Sequence, residues 1–216
     1  MENLEFDVLV NREHSIDINY KPKCLVTLDN NENNFHNYFD PTEKPRISLQ
    51  ILIPYRKLEI ASLKDGLHIM VGSGYRSSDY QQRLFNDVFA QKLSLLKEQY
   101  PNMSDGKLYF DAFEMASVRI ARPGHSEHQT GYAIDIECIR DNIFVGPTEE
   151  EYKWMNENAY KYGFILRYPQ GKEDITQFDY EPWHYRYVGE DIANLLYNNG
   201  DWLTLEEYHK ELKLKR

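Results

Sequence analysis

The spacing of hydrophobic residues changes along the chain and predicts a mixture of helices and short strands. Pro54 must lie in the first turn of the first predicted helix or kink it. Thr148 and Thr204 each precede a glutamate by three residues, a capping-box pattern that marks the start of a helix. The helical segments are expected at residues 48–63, 77–96, 110–120, 148–163, 190–198 and 205–212.

Shorter apolar or alternating runs predict the strands, at residues 67–71, 132–137, 164–167 and 181–188. Residues 8–10 and 25–28 are expected to be short strands or extended arms. Composition predicts a loop at residues 29–37 and a turn at residues 140–142. Helices and strands do not alternate regularly, so we expect an α+β fold in a single domain over residues 1–216.

Length and charge narrow the classes of function. The 216 residues, 41% of them hydrophobic, suffice for one domain with a sizeable core. A formal net charge of -10 argues against binding to a nucleic-acid backbone or to an anionic membrane surface. A local basic pocket for a carboxylate remains compatible with this charge, and we expect Arg76 and Arg122 to contribute to it.

The compartment is expected to be cytoplasmic. The first residues lack the basic start and apolar run of a secretory signal, and no window approaches the roughly 20 apolar residues of a membrane span. The alternative is an extracellular or membrane-anchored protein whose anchor lies outside this sequence. Cys24 and Cys138 form no CxxC pair, so we expect two reduced, buried thiols and neither a disulfide framework nor a thiolate zinc site.

Two segments, residues 122–136 and 180–185, concentrate histidines and acidic residues. A catalytic zinc site takes three protein ligands, commonly imidazole and carboxylate, and leaves a position for water. His128, Asp135 and His184 fill these three places. The alternation around Asp135 turns its side chain away from the apolar face of its predicted strand.

Glu181 is the candidate general base, provided that a bend at Pro182 brings its carboxylate beside the metal site. Two alternatives remain open from the residues alone. His125 lies three residues from His128 and is a rival ligand. The histidines also fit a purely structural role, because isolated histidines in proteins usually form hydrogen bonds with neighbouring groups.

The motifs in these segments resemble those of a known enzyme family. They are Ser126-x-His128-x-x-Gly131-x-Ala133-x-Asp135, Glu181-Pro182-Trp183-His184, and Ser73-Gly74-Tyr75-Arg76-Ser77 followed by Gln81. Together they resemble the signature of the zinc D,D-carboxypeptidases and D,D-dipeptidases of the VanY and VanX type. The chain is most similar to the bifunctional VanXY enzymes, from about Leu9 to Leu212.

The resemblance implies a role for each matching residue. It implies Zn²⁺ on His128, Asp135 and His184, and Glu181 as the catalytic base. It further implies that Arg76 supports the scissile carbonyl and the developing oxyanion, while Gln81 and Ser126 contact substrate. His125 matches a variable position of the family, so the resemblance makes it a less suitable candidate for a metal ligand than His128.

The resemblance also implies a small central antiparallel sheet flanked by helices, with the cleft on one face. The implied substrate is a peptide ending in D-Ala-D-Ala, either the free dipeptide or a cell-wall precursor pentapeptide, so that the enzyme supports vancomycin-type resistance. One alternative is an L,D-carboxypeptidase or another cell-wall peptidase of the same fold. The other is a non-catalytic zinc protein that binds peptide, although such a protein has no need of Glu181.

Overall fold

The computed structural model describes residues 3–28, 44–140 and 143–212. The predicted loop at residues 29–37 and residues 141 and 142 of the predicted turn lie outside these ranges. Among the described residues, the helices are α1 (Leu52–Lys64), α2 (Ser78–Gln99), α3 (Asp105–Ser117), α4 (Glu149–Asn158), α5 (Glu173–Thr176), α6 (Glu190–Tyr197) and α7 (Leu205–Glu207). The strands are β1 (Leu25–Thr27), β2 (Arg46–Ser48), β3 (Ile69–Ser73), β4 (Ala133–Arg140), β5 (Ile143–Val145), β6 (Phe164–Leu166) and β7 (His184–Tyr187).

A five-stranded antiparallel sheet forms the centre of the molecule. Its strands follow the order β3-β4-β7-β6, with β5 paired to β4, while β1 and β2 form a separate two-stranded sheet. Asp135 of β4 lies opposite His184 of β7 in the register. The register between β3 and β4 shifts between Val71 and Ser73, where the chain leaves β3 toward Arg76. The expected α+β fold with a small antiparallel sheet flanked by helices is confirmed.

The two faces of β4 have different surroundings because side chains alternate along a strand. Ile134 and Ile136 are buried in the main hydrophobic core, together with Tyr55 and Leu58 of α1. Asp135 points from the opposite face into a cavity. The helices α2 and α3 form a hairpin with small apolar clusters of its own, and α2 together with residues 119–121, which follow α3, provides the outer side of this cavity.

Several predicted boundaries are confirmed. Pro54 lies in the first turn of α1, and Ser77 caps α2 by accepting a hydrogen bond from the backbone of Tyr80. Both capping boxes are present, at Thr148 and Thr204. The predicted helix at 148–163 comprises α4 and a 3₁₀ turn at Ala159–Tyr162.

Other expectations need correction. The helix predicted at 110–120 is α3, which begins at Asp105 and ends at Ser117, because Ser104 takes the N-cap conformation and Asp105 stands in the favourable first turn. The strand predicted at 181–188 begins only at His184, since the preceding residues form a turn. Cys24 is exposed, unlike Cys138, so the expectation of two buried thiols is wrong.

Over the ranges that the structure describes, no helix is both long and apolar enough to cross a membrane.

Candidate active site

His128 is held on a short turn at the wall of the cavity. It belongs to a 3₁₀ helix at Glu127–Thr130, which Gly131 ends with a positive φ of 73°. Such a φ favours glycine, since a side chain there would be strained. His128 Nδ1 lies 2.7 Å from the backbone oxygen of Gly74. Because this carbonyl can only accept, Nδ1 carries the proton and Nε2 keeps a lone pair, which faces Asp135.

His184 and Asp135 face each other across the β4–β7 ladder. Asp135 Oδ1 lies 3.1 Å from His184 Nδ1 and 3.3 Å from His128 Nε2. One ligand atom from each of these three residues lies within 4.8 Å of the other two. The antiparallel register and the 3₁₀ turn therefore bring together residues that are up to 56 positions apart in the sequence.

The donor atoms of this His128/Asp135/His184 cluster fit a divalent cation. Asp135 Oδ1 is buried, and two imidazole nitrogens converge on it. Burial lowers the pKa of His128 to about 4, which keeps this imidazole neutral and able to bind a metal. Two nitrogens and one carboxylate oxygen are a ligand set that zinc takes in catalytic sites.

The electrostatics of His184 agree with this assignment. Burial lowers its pKa, but hydrogen bonds to Asp135 and Glu127 outweigh this effect and raise the pKa to about 9. The carboxylates around His184 thus favour a positive charge at this point. Either a proton on the ring or a cation bound by the cluster supplies that charge.

Glu181 lies beside the cluster, in the turn that precedes β7. The backbone N–H of His184 donates to the Glu181 carbonyl over 3.1 Å, so the chain bends at Pro182. This bend places Glu181 Oε2 3.7 Å from His184 Nδ1. Burial and the neighbouring Asp135 raise the pKa of Glu181 to about 7. A carboxylate with this pKa can both accept and return a proton near neutral pH.

The remaining candidate residues line the same cavity, which has a volume of about 270 Å³. Arg76 donates to Ser73 Oγ over 3.0 Å and forms an ion pair with Asp135. Gln81 donates to the Ala121 backbone oxygen over 2.7 Å, and its own buried side-chain oxygen has no hydrogen-bond partner among the residues that the structure describes. Ser126 also lines the cavity.

His125 and Arg122 lie away from this centre. The His125 ring contacts the backbone oxygen of Asn11, at 2.8 Å, and is not part of the metal-compatible cluster. Arg122 donates to the backbone oxygen of Arg12 and does not line the cavity, so the expectation that it helps form a basic pocket is wrong. Lys92 and Arg119 line the cavity instead.

Four charged residues next to the site were not predicted. They form a network behind His184 that we call the Glu127 cluster: Glu127, Arg167, Arg186 and Glu206. The sequence held one signal for this network: Arg167 ends one predicted strand and Arg186 lies inside another. A buried guanidinium needs an acidic partner, because leaving it unpaired is costly. That signal does not identify the acidic partners, which come from distant segments.

Comparisons with known proteins give the family of the chain. The VanY family, described as D-alanyl-D-alanine carboxypeptidase, matches residues 44–190. The chain is 38% identical over 210 residues to YodJ of Bacillus subtilis (strain 168), covering 95% of this chain and 67% of that protein. It is 36% identical to a D-alanyl-D-alanine carboxypeptidase of Enterococcus faecalis, covering 93% of this chain and 64% of the relative. The chain therefore spans about two thirds of the length of these relatives.

Solved structures of similar proteins share the fold. VanYB in complex with D-alanine-D-alanine is 35% identical, with a TM-score of 0.75 and coverage of 96% of this chain and 99% of that chain. A VanY mutant solved in complex with Zn(II) gives a TM-score of 0.73 at 35% identity, covering 94% and 98%. The L,D-carboxypeptidase LdcB is 36% identical, with a TM-score of 0.72 and coverage of 95% and 86%. On this evidence the chain belongs to the VanY family of D-alanyl-D-alanine carboxypeptidases.

Proposed function

We propose that this protein is a zinc-dependent D,D-peptidase acting on D-Ala-D-Ala, either as the free dipeptide or as the C-terminus of a peptidoglycan precursor pentapeptide. The observation that carries the proposal is the His128/Asp135/His184 cluster with Glu181 beside it in one cavity. A protein that only binds zinc and peptide has no use for a buried carboxyl group with a pKa near 7 at this point. The proposed domain spans residues 1–216.

The site residues are proposed to have two roles in amide hydrolysis, which are metal binding and proton transfer. Zn²⁺ held by His128, Asp135 and His184 would polarise the scissile carbonyl and acidify a water molecule. Glu181 accepts a proton from that water as its oxygen bonds to the carbonyl carbon. Glu181 then gives the proton to the amine nitrogen, the C–N bond breaks, and D-Ala is released.

Arg76 is proposed to stabilise the negative charge that develops on the carbonyl oxygen. Its guanidinium is 7% exposed and lines the cavity, so its charge acts at short range and with little screening by water. The ion pair with Asp135 and the hydrogen bond to Ser73 fix its orientation. Such an orientation in advance of substrate binding is what electrostatic catalysis requires.

Gln81 and Ser126 are proposed to contact the substrate. The unpartnered side-chain oxygen of Gln81 offers an acceptor for a peptide N–H. Lys92 and Arg119 add positive charge to the cavity wall. This local charge suits a substrate that ends in a carboxylate, although the chain as a whole has a net charge of -10.

Product analysis tests the proposal and its main alternative. The similarity to LdcB favours L,D-carboxypeptidase activity as the second candidate. The zinc-loaded protein is incubated with D-Ala-D-Ala, with a precursor pentapeptide and with the tetrapeptide, and the released D-Ala is measured. We expect release from the dipeptide or the pentapeptide. Release from the tetrapeptide alone would assign the L,D activity and refute the D,D proposal.

Expression in a vancomycin-sensitive host tests the biological role. If the protein removes D-Ala-D-Ala ends from precursors, the wild type should raise the tolerated concentration of a vancomycin-type antibiotic when its substrate pool is accessible. Glu181→Gln is the matched control. Equal tolerance with both proteins would refute the role in resistance while leaving the hydrolytic activity to be judged by product analysis. The cytoplasmic location stays a prediction.

A further inference from the structure

His184 has a second buried partner on the side away from Asp135. Its Nε2 lies 3.4 Å from Glu127 Oε2, while its Nδ1 faces Asp135 and Glu181. Glu127 is 1% exposed, so water does not compete for this contact. The two nitrogens of the ring therefore serve different purposes, one toward the cavity and one toward the interior.

Glu127 is ionised because two buried arginines share one of its oxygens. Arg167 Nε lies 2.8 Å and an Arg186 terminal nitrogen 2.9 Å from Glu127 Oε1. Arg167 also donates to both oxygens of Glu206, over 2.9 and 2.7 Å. Two arginines and two glutamates give the Glu127 cluster no net charge. A carboxylate can therefore remain buried here without collecting a proton.

An ionised Glu127 decides where the proton of His184 lies. A carboxylate can only accept a hydrogen bond, so the Nε2 atom facing it must carry the hydrogen. The neutral ring then has its lone pair on Nδ1, at 3.1 Å from Asp135 Oδ1. Gly74 acts on His128 in the opposite sense, since it holds the proton on Nδ1 and leaves Nε2 for the cavity.

We propose that Glu127 is a positioning residue that presents His184 to the metal through Nδ1. This inference rests on the zinc site of the proposed function. A charged acceptor also makes the imidazole a more basic ligand than a carbonyl acceptor does, and losing such a partner typically weakens metal affinity about 10-fold to 100-fold. Glu127 acts through His184 and takes no part in the proton transfers assigned to Glu181.

Glu127→Gln is the informative substitution because it keeps the shape of the side chain. Arg167 Nε donates to Oε1 and the charged Arg186 lies beside it, so the amide oxygen takes that position and the amide NH₂ faces His184. Nε2 must then accept, and the hydrogen moves to Nδ1, the atom that faces the metal site. We expect the zinc dissociation constant, measured by chelator competition, to rise about 10-fold to 100-fold.

The matched control is Glu206→Gln. It breaks the paired contact with Arg167 in the same network, but Glu206 does not contact His184. Both variants should lose stability, whereas only Glu127→Gln should lose zinc affinity. A second readout is the ¹⁵N long-range NMR spectrum of the metal-free protein recorded above pH 9, where the His184 ring is neutral. There His184 should change from the Nε2–H to the Nδ1–H tautomer in Glu127→Gln alone.

The possible outcomes distinguish a failure of the zinc site from a failure of the positioning role of Glu127. A wild type that fails to bind zinc would refute the metal site. Wild-type binding with an unchanged dissociation constant in Glu127→Gln, or an equal loss in both variants, would overturn the positioning role. If Glu127→Gln does not fold, Glu127→Asp keeps the charge one methylene further from the ring. Weaker zinc binding with the Nε2–H tautomer retained is then expected, and wild-type affinity would overturn the inference.

Discussion

Replacing Glu181 with glutamine should remove activity and yet stabilise the metal-free protein. Burial raises the pKa of Glu181 from 4.5 to about 7 in the folded chain. The ionised carboxylate is therefore less favourable in the folded state than in the unfolded chain. Each unit of pKa corresponds to about 1.4 kcal/mol, so ionised Glu181 opposes folding by about 3 kcal/mol above pH 7. Glutamine has the same shape without this charge.

Because the pKa of Glu181 is raised on folding, the destabilisation by its carboxylate depends on pH. Below pH 4.5 the carboxyl group is protonated in both states and costs nothing. Between 4.5 and about 7 only the unfolded chain releases the proton, so the penalty grows, and above 7 it is constant. Glu181→Gln should thus match the wild type at pH 4 and unfold roughly 6–12 °C higher at pH 8, since 1 kcal/mol corresponds to about 2–4 °C for a chain of this size.

Thermal unfolding in the presence of a chelator, followed by circular dichroism at pH 4 and pH 8, measures this difference. In the same variant, loss of the general base should lower kcat about 10²-fold to 10⁴-fold while zinc content stays at the wild-type level. An unchanged or lower melting temperature at pH 8 would show that Glu181 is well solvated and that its pKa is ordinary. Full activity would remove Glu181 from the mechanism.

Three further substitutions and one treatment test other parts of the structure. Gly74→Ala should weaken zinc binding and stability by about 1–3 kcal/mol, measured by chelator competition and urea unfolding, because its Cβ would lie 2.2 Å from the Arg46 backbone oxygen. Burial raises the pKa of Glu206, but ion pairing with Arg167 outweighs this effect and lowers the pKa, so the stabilisation is fully present above pH 4.5 and is lost as pH falls through the folded-state pKa. Glu206→Gln should cost about 3 kcal/mol in urea unfolding at pH 7 and progressively less as the pH falls below 4.5. His125→Ala should keep wild-type zinc content by atomic absorption, and a loss would make His125 a ligand. Chelation should abolish hydrolysis but leave the far-ultraviolet circular dichroism unchanged.

A site residue could be predicted from the sequence where a metal-binding side chain also fits the alternation of a predicted strand. Asp135 stands between two isoleucines, so a strand that buries them must turn the carboxylate to the other face. Glu181 was a candidate on the condition that the chain bends at Pro182, and the turn before His184 meets that condition. These inferences need only local geometry and the assumption that two strands pair.

The Glu127 cluster could not be predicted in the same way. Its members lie on the 3₁₀ turn, at the end of β6, on β7 and on α7, and only the tertiary fold brings them together. Local patterns do not show which glutamate meets which arginine. The bounds of α3 were missed for a different reason, because Asp105-Gly106 has the composition of a turn while Ser104 stands at the N-cap position of a helix there.

Each proposed metal ligand has a contact within the protein that orients its side chain. Gly74 fixes His128, Arg76 fixes Asp135, and Glu127 fixes His184. These contacts belong to the sheet, to the 3₁₀ turn and to the Glu127 cluster, so each proposed ligand is oriented by a different part of the fold. The Glu127 cluster places three buried charged side chains and the partly buried Glu206 behind His184, a costly arrangement that a purely structural core would not need.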